Sequence, residues 1–143
     1  MVKILSALIF GLVLLSTACG PAKPKISVTN VWGRESIRSA ANSAFYMDIG
    51  NAGRSDDHLI GVTADACRST ELHETTLDEQ DVMKMRQVGE ILIPGGQTVK
   101  LDVGGYHIMC LDRIEEFTSG DLIPITLNFE ISGDKEISAE IRQ

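Results

Sequence analysis

The chain has 143 residues and carries 13 Lys+Arg against 20 Asp+Glu, a formal net charge of -7. That length has room for one ordinary domain, and the negative balance excludes nucleic acid and anionic membrane surfaces as electrostatic partners. A hydrophobic share of 43% with 23% charged residues describes a folded chain, and 5% aromatics leave few platforms on which bases could stack.

In chain order, the first feature is an apolar run from Ile4 to Leu15, broken only by Ser6 and Gly11 and preceded by one charge, Lys3. The run is long enough for the core of a secretion signal and short for a membrane span. It ends in Leu15-Ser16-Thr17-Ala18-Cys19, which resembles the lipobox of bacterial lipoproteins. The resemblance implies cleavage before Cys19 and lipidation of that Cys. Ser16 stands where the commonest lipobox has Leu, so an ordinary cleaved signal with a leftover Cys is the other reading. The expected organisation is a signal peptide over 1–18, a lipidated Cys and tether over 19–25, and one folded domain over 26–143. The protein is then extracytoplasmic, touching the membrane only through its lipid anchor.

After Lys25 the pattern is short runs of period-2 alternation separated by turn residues. Strands are expected over Ile26–Arg34, Ser43–Gly50, Leu59–Ala64, Ser69–Glu74, Val82–Val88, Thr98–Val103, Tyr106–Leu111, Leu122–Ile131 and Glu136–Ile141. Turns fall at Asn51-Ala52-Gly53, Pro94-Gly95-Gly96, Gly104-Gly105, Ser119-Gly120-Asp121 and Ser132-Gly133-Asp134. Ser36–Ser43 is the one place for a helical turn. The fold class is all-β, a sandwich or barrel, with Trp32 and Tyr46 expected in its core.

The reactive residues are three Cys, three His and five Met. His107-Ile108-Met109 puts two donor side chains on one strand face, because successive side chains alternate, and Met83-Lys84-Met85 does the same elsewhere. His73 closes another strand just before the polar stretch Thr75–Asp81. A hairpin there brings His73 close to Met85 or its neighbour. Imidazole with thioether is a soft donor set that selects Cu(I) over zinc or hard ions. Thioethers also escape disulfide formation, although sulfoxide formation remains open to them. By spacing alone, core packing of these Met residues is the competing explanation.

The order of the residues resembles that of the PCu(A)C family of periplasmic copper chaperones. Its motif of His, Met and His-X-Met reads here as His73, eleven residues, Met85, twenty-one residues, then His107-Ile108-Met109. The surroundings match too: Val31-Trp32-Gly33-Arg34, Ala44-Phe45-Tyr46-Met47, Glu71-Leu72-His73-Glu74-Thr75, Val82-Met83-Lys84-Met85-Arg86 and Gly104-Gly105-Tyr106-His107-Ile108-Met109. The resemblance implies a cupredoxin-like Greek-key β-sandwich or barrel. It also implies Cu(I) binding by His73, Met85, His107 and Met109. It further implies delivery to the CuA site of a respiratory oxidase, or to a thioredoxin-like factor that assembles it, by a protein expected to be monomeric. Met83 is either a packing residue or an extra, transient ligand. Some members carry a His/Met-rich tail that adds Cu(II). None precedes Gln143, so a second copper site is not expected.

Cys67 and Cys110 are the thiols left once Cys19 is lipidated. Outside the cytoplasm such a pair suggests a disulfide. A buried free thiol and a fifth copper ligand are the other readings, because alternation puts Cys110 on the face opposite His107 while Cys67 shares the face of His73. His58, after Asp56-Asp57, reads as a surface residue.

Three other functions compete. An electron-transfer cupredoxin needs a thiolate, two His and a weak axial Met, and Cys110 lacks a following His. General copper sequestration or uptake uses the same ligands. An adhesive β-sandwich needs no metal. No Ser/His/Asp arrangement, paired carboxylate motif or phosphate-cradling loop points to an enzyme.

Overall fold

The structure is a computed structural model that describes residues 22–36 and 40–143. The expected signal peptide and Cys19 lie outside the described residues, and the expected helical turn over Ser36–Ser43 lies partly outside them.

The described chain is all-β. Its strands are β1 (Ile26–Arg34), β2 (Ser43–Asn51), β3 (Asp57–Thr63), β4 (Cys67–Leu77), β5 (Met83–Gln87), β6 (Ile91–Ile93), β7 (Thr98–Leu101), β8 (Tyr106–Arg113), β9 (Leu122–Phe129) and β10 (Gly133–Arg142). Nine of these fall where alternation placed strands. The tenth, β6, has only three residues, too few for a period to register. It still alternates, with Ile91 and Ile93 buried and Leu92 exposed.

Hydrogen bonding links all ten strands in the order β5-β4-β8-β7-β2-β1-β10-β9-β3-β6, so the two layers expected of a sandwich belong to one continuous sheet. Most pairs are antiparallel, while β1 runs parallel to β10. Side chains from both halves meet in one core: Phe45, Leu72 and Ile108 from one, Leu59, Ile93 and Leu127 from the other. Close packing of this kind, with apolar area removed from water, is the main force holding the layers together.

Two neighbouring polar residues tie loops to one end of the sheet. Asp57 is fully buried and accepts backbone N–H bonds from His58 (2.9 Å), Ile131 (2.9 Å) and Ser132 (3.0 Å), which ties the β9–β10 turn to β3. Burial pushes its carboxyl up, but hydrogen bonds from the Ser132 side chain and the three N–H groups outweigh that and leave it below the ordinary aspartate value. Beside it, Asn51 Oδ1 accepts from Lys25 N and Gly53 N, both at 2.9 Å, and its Nδ2 donates to the carbonyl of Ile93, the residue that pairs with Asp57. Gly53 permits this close approach: a Cβ there would sit 2.2 Å from the Lys23 carbonyl oxygen.

Cys67 and Cys110 are joined by a disulfide with a Cα–Cα distance of 5.4 Å. Alternation had put the two on opposite faces. The extended pattern breaks at the very start of β4, where Cys67 turns into the core.

Candidate metal-binding cleft

Strands β5, β4 and β8 lie side by side, and their register decides which side chains meet. His73 pairs with His107, Glu71 with Met109, and Thr75 with Met85. Directly paired residues share a face. His73, Met85, His107 and Met109 therefore all project from one side of this three-stranded unit, the side opposite the core residues Leu72 and Ile108. The local hairpin from β4 to β5 brings Met85 into the group, and the β4–β8 pairing brings in the other two. The imidazole centroids of His73 and His107 are 5.8 Å apart.

On this face lies a cleft of about 390 Å³ whose lining includes Met83, Met85, His107, Met109, Tyr46 and Arg34. His107 is 3% exposed, whereas Met85 and Met83 are 55% and 61% exposed. His107 thus forms the floor and thioether sulfur the rim, while His73 sits beside His107 and is not one of the lining residues. Among the described residues, no three His, Cys, Asp or Glu side chains gather in a way that could hold a metal ion.

Both imidazoles are held in a defined state. His107 Nδ1 lies 3.0 Å from the Gly105 carbonyl oxygen. A carbonyl only accepts, so Nδ1 must carry the proton. In the neutral ring Nε2 then keeps its lone pair, and this buried atom has no hydrogen-bond partner. The turn preceding β8 makes this possible. Gly104 has a φ of 86°, a conformation that favours glycine, and the next carbonyl is aimed so that it also accepts from Thr75 N at 3.0 Å. His73 is arranged the other way round. Its Nε2 lies 2.7 Å from Glu71 Oε2, and its buried Nδ1 is without a partner. A carboxylate or carbonyl on the far nitrogen is the usual way a metal-ligating His is oriented and made more basic.

Aromatic packing backs the floor. The Tyr46 ring lies 6.3 Å from His107 and 4.4 Å from Trp32. Tyr46 is buried as expected, 6% exposed, but on the face that carries His107, since it follows the core residue Phe45 by one position, and Trp32 packs on it half-buried. Burial pushes the Tyr46 phenol up, with Arg34 pulling it back and Asp102 adding to the rise. The other sequence candidates separate. Met83 lines the cleft rather than packing, Met47 is in the core, and the partly buried His58 has Nδ1 3.2 Å from Glu90 Oε1 and does not line the cleft. Glu71, Gly105 and Tyr46 were not anticipated as supports. Glu71 carried one legible sign, its position two residues before His73 on the same strand face.

The fold is similar to that of solved PCuAC domains. The chain resembles the copper-bound PCuAC domain from PmoF2 with 25% identity and a TM-score of 0.71, over 82% of this chain and 92% of that one. It resembles the apo PCuAC domain from PmoF1 with 27% identity and a TM-score of 0.73, over 82% and 93%. An uncharacterized protein of Rickettsia prowazekii is 28% identical over 125 residues, 85% of this chain and 68% of the relative. The chain belongs to the LpqE-like lipoprotein family, whose profile matches residues 26–141.

Proposed function

We propose that this protein is an extracytoplasmic copper chaperone, not an enzyme. It carries Cu(I) on His73, Met85, His107 and Met109 and is tethered through a lipidated Cys19. The observation that carries this reading is the buried, unpartnered Nε2 of His107 in a cleft whose rim is thioether sulfur. A buried nitrogen lone pair left unmet costs about 1–3 kcal/mol, and a soft metal would satisfy it. Neutral imidazole and thioether suit Cu(I) and give hard ions little to hold. Likeness to copper-binding PCuAC domains supports the same reading.

Release follows from the same chemistry. The site has no thiolate, and both described cysteines are committed to the bridge. A receiving protein with thiolate ligands draws copper downhill. The receiver we propose is the CuA subunit of an oxidase or a thioredoxin-like assembly factor. The bridge also counts against an electron-transfer cupredoxin, which needs a Cys thiolate on the metal.

Anaerobic titration of Cu(I) against the chelator bathocuproine disulfonate tests the site. The wild type should compete for one Cu(I) per chain, and the double variant His73→Ala, His107→Ala should not. Undiminished binding by that variant refutes the ligand set. An intense blue band on adding Cu(II) refutes the carrier reading in favour of electron transfer.

A further inference from the structure

Met83 is a large apolar side chain with no packing role. It is 61% exposed, and its cross-strand partner Leu77 is 62% exposed. It stands two residues from Met85 on the same face of β5 and lines the same cleft as Met85, His107 and Met109. Strand β5 is the end of the sheet and is exposed along its whole length, so Met83 sits at the open mouth while His107 sits on the floor. An exposed Met is ordinarily unremarkable. Here it completes a group of three thioethers, Met83, Met85 and Met109, on one small cleft.

We infer that Met83, Met85 and Met109 form an outer, all-thioether position that Cu(I) occupies in transit between the imidazole floor and the receiving protein. This rests on the copper reading above. Cu(I) has no strong geometric demand, and thioether sulfur is among the donors it prefers. An incoming ligand approaches from the mouth, so a metal held only at the floor would have to leave its imidazoles before meeting the receiver. Met83 removes that gap. As copper moves outward, a bond to Met83 sulfur forms while the bonds to the His73 and His107 nitrogens break. Copper stays Cu(I), no proton moves because thioethers are neutral, and the two imidazoles keep their contacts to Glu71 and the Gly105 carbonyl. Met83 then shapes the rate of transfer and leaves the affinity of the floor site nearly untouched.

The test compares wild type with Met83→Leu, which keeps the apolar bulk and removes the sulfur. Affinity is read by equilibrium competition for Cu(I) with bathocuproine disulfonate. Transfer is read by stopped-flow appearance of the coloured chelate from the Cu(I)-loaded protein. Met83→Leu should retain affinity within about twofold and slow transfer by about tenfold. An unchanged rate in Met83→Leu overturns the transit position, as does a loss of affinity that matches the loss of rate. Failure of the wild type itself to bind Cu(I) refutes the copper reading instead, so the two failures are separate.

Discussion

The disulfide between Cys67 and Cys110 staples β4 to β8, the two strands that bear His73, His107 and Met109, and it offers a direct test of what holds the cleft together. Replacing both cysteines by Ala leaves no lone thiol and little new volume. The bridge spans 43 residues of sequence. Closing a loop of that size in the unfolded chain removes about 13 cal/mol/K of entropy, equivalent to about 4 kcal/mol at 25 °C. For roughly 120 ordered residues, an unfolding entropy of about 250 cal/mol/K turns that into a fall of about 15 °C in Tm. Scanning calorimetry or a far-ultraviolet thermal melt of the double variant reads the shift. Cu(I) affinity measured well below the new midpoint should hold, because backbone pairing between β4 and β8 still runs from Cys67↔Arg113 to Glu74↔Tyr106 and keeps His73 opposite His107. A fall of less than about 4 °C would refute the entropic reasoning. A collapse of copper affinity in the still-folded variant would show that the staple, not the pairing, sets the ligand geometry.

Two further outcomes are expected. Glu71→Gln removes the carboxylate that holds His73 Nε2 and should weaken Cu(I) binding by about tenfold, read by chelator competition, with an unchanged melt showing that the fold is intact. Asp57→Asn leaves the N–H groups of His58, Ile131 and Ser132 with a poorer acceptor and should cost about 1–3 kcal/mol in urea unfolding. Because the folded Asp57 carboxyl lies below its ordinary value, its stabilisation is present above the unfolded aspartate value. It is lost as pH falls through the folded one. The penalty of Asp57→Asn should therefore shrink in acid, and a pH-independent penalty would refute this role for the charge.

Most of the fold was legible because period-2 alternation follows directly from strand geometry. Its failures have physical causes. Strand β6 is shorter than two alternations. The parallel contact of β1 with β10 joins segments from opposite ends of the sequence, with no local signal. Cys67, at the very start of β4, turns into the core and leaves the face that alternation gave it, and alternation does not register such a strand end. Tyr46 is buried and Trp32 half-buried on the face that carries His107, which a simple inside-outside reading leaves to solvent. At the cleft, His107 and Met109 share a face by local geometry, and the hairpin places Met85. The pairing of His73 with His107 depends on the register of β4 against β8, a long-range fact, so the Glu71 and Gly105 contacts that fix the imidazoles came only with the structure.

The division of sulfur in this chain follows from its redox setting as proposed. Conditions that close Cys67–Cys110 would consume a cysteine ligand, so a soft site that survives them must use thioethers, which cannot be cross-linked. Two imidazoles and two thioethers bring no charge, which leaves the positive charge of Cu(I) unbalanced at the metal. The carboxylate of Glu71, paired across the strands with Met109, is committed to His73 Nε2 at 2.7 Å. Its charge reaches the metal through the imidazole, making that nitrogen a better donor while its hard oxygen is occupied elsewhere. The site as proposed would bind a monovalent soft ion without surrounding it with fixed negative charge, which is the balance a carrier needs if a thiolate receiver is to win the exchange.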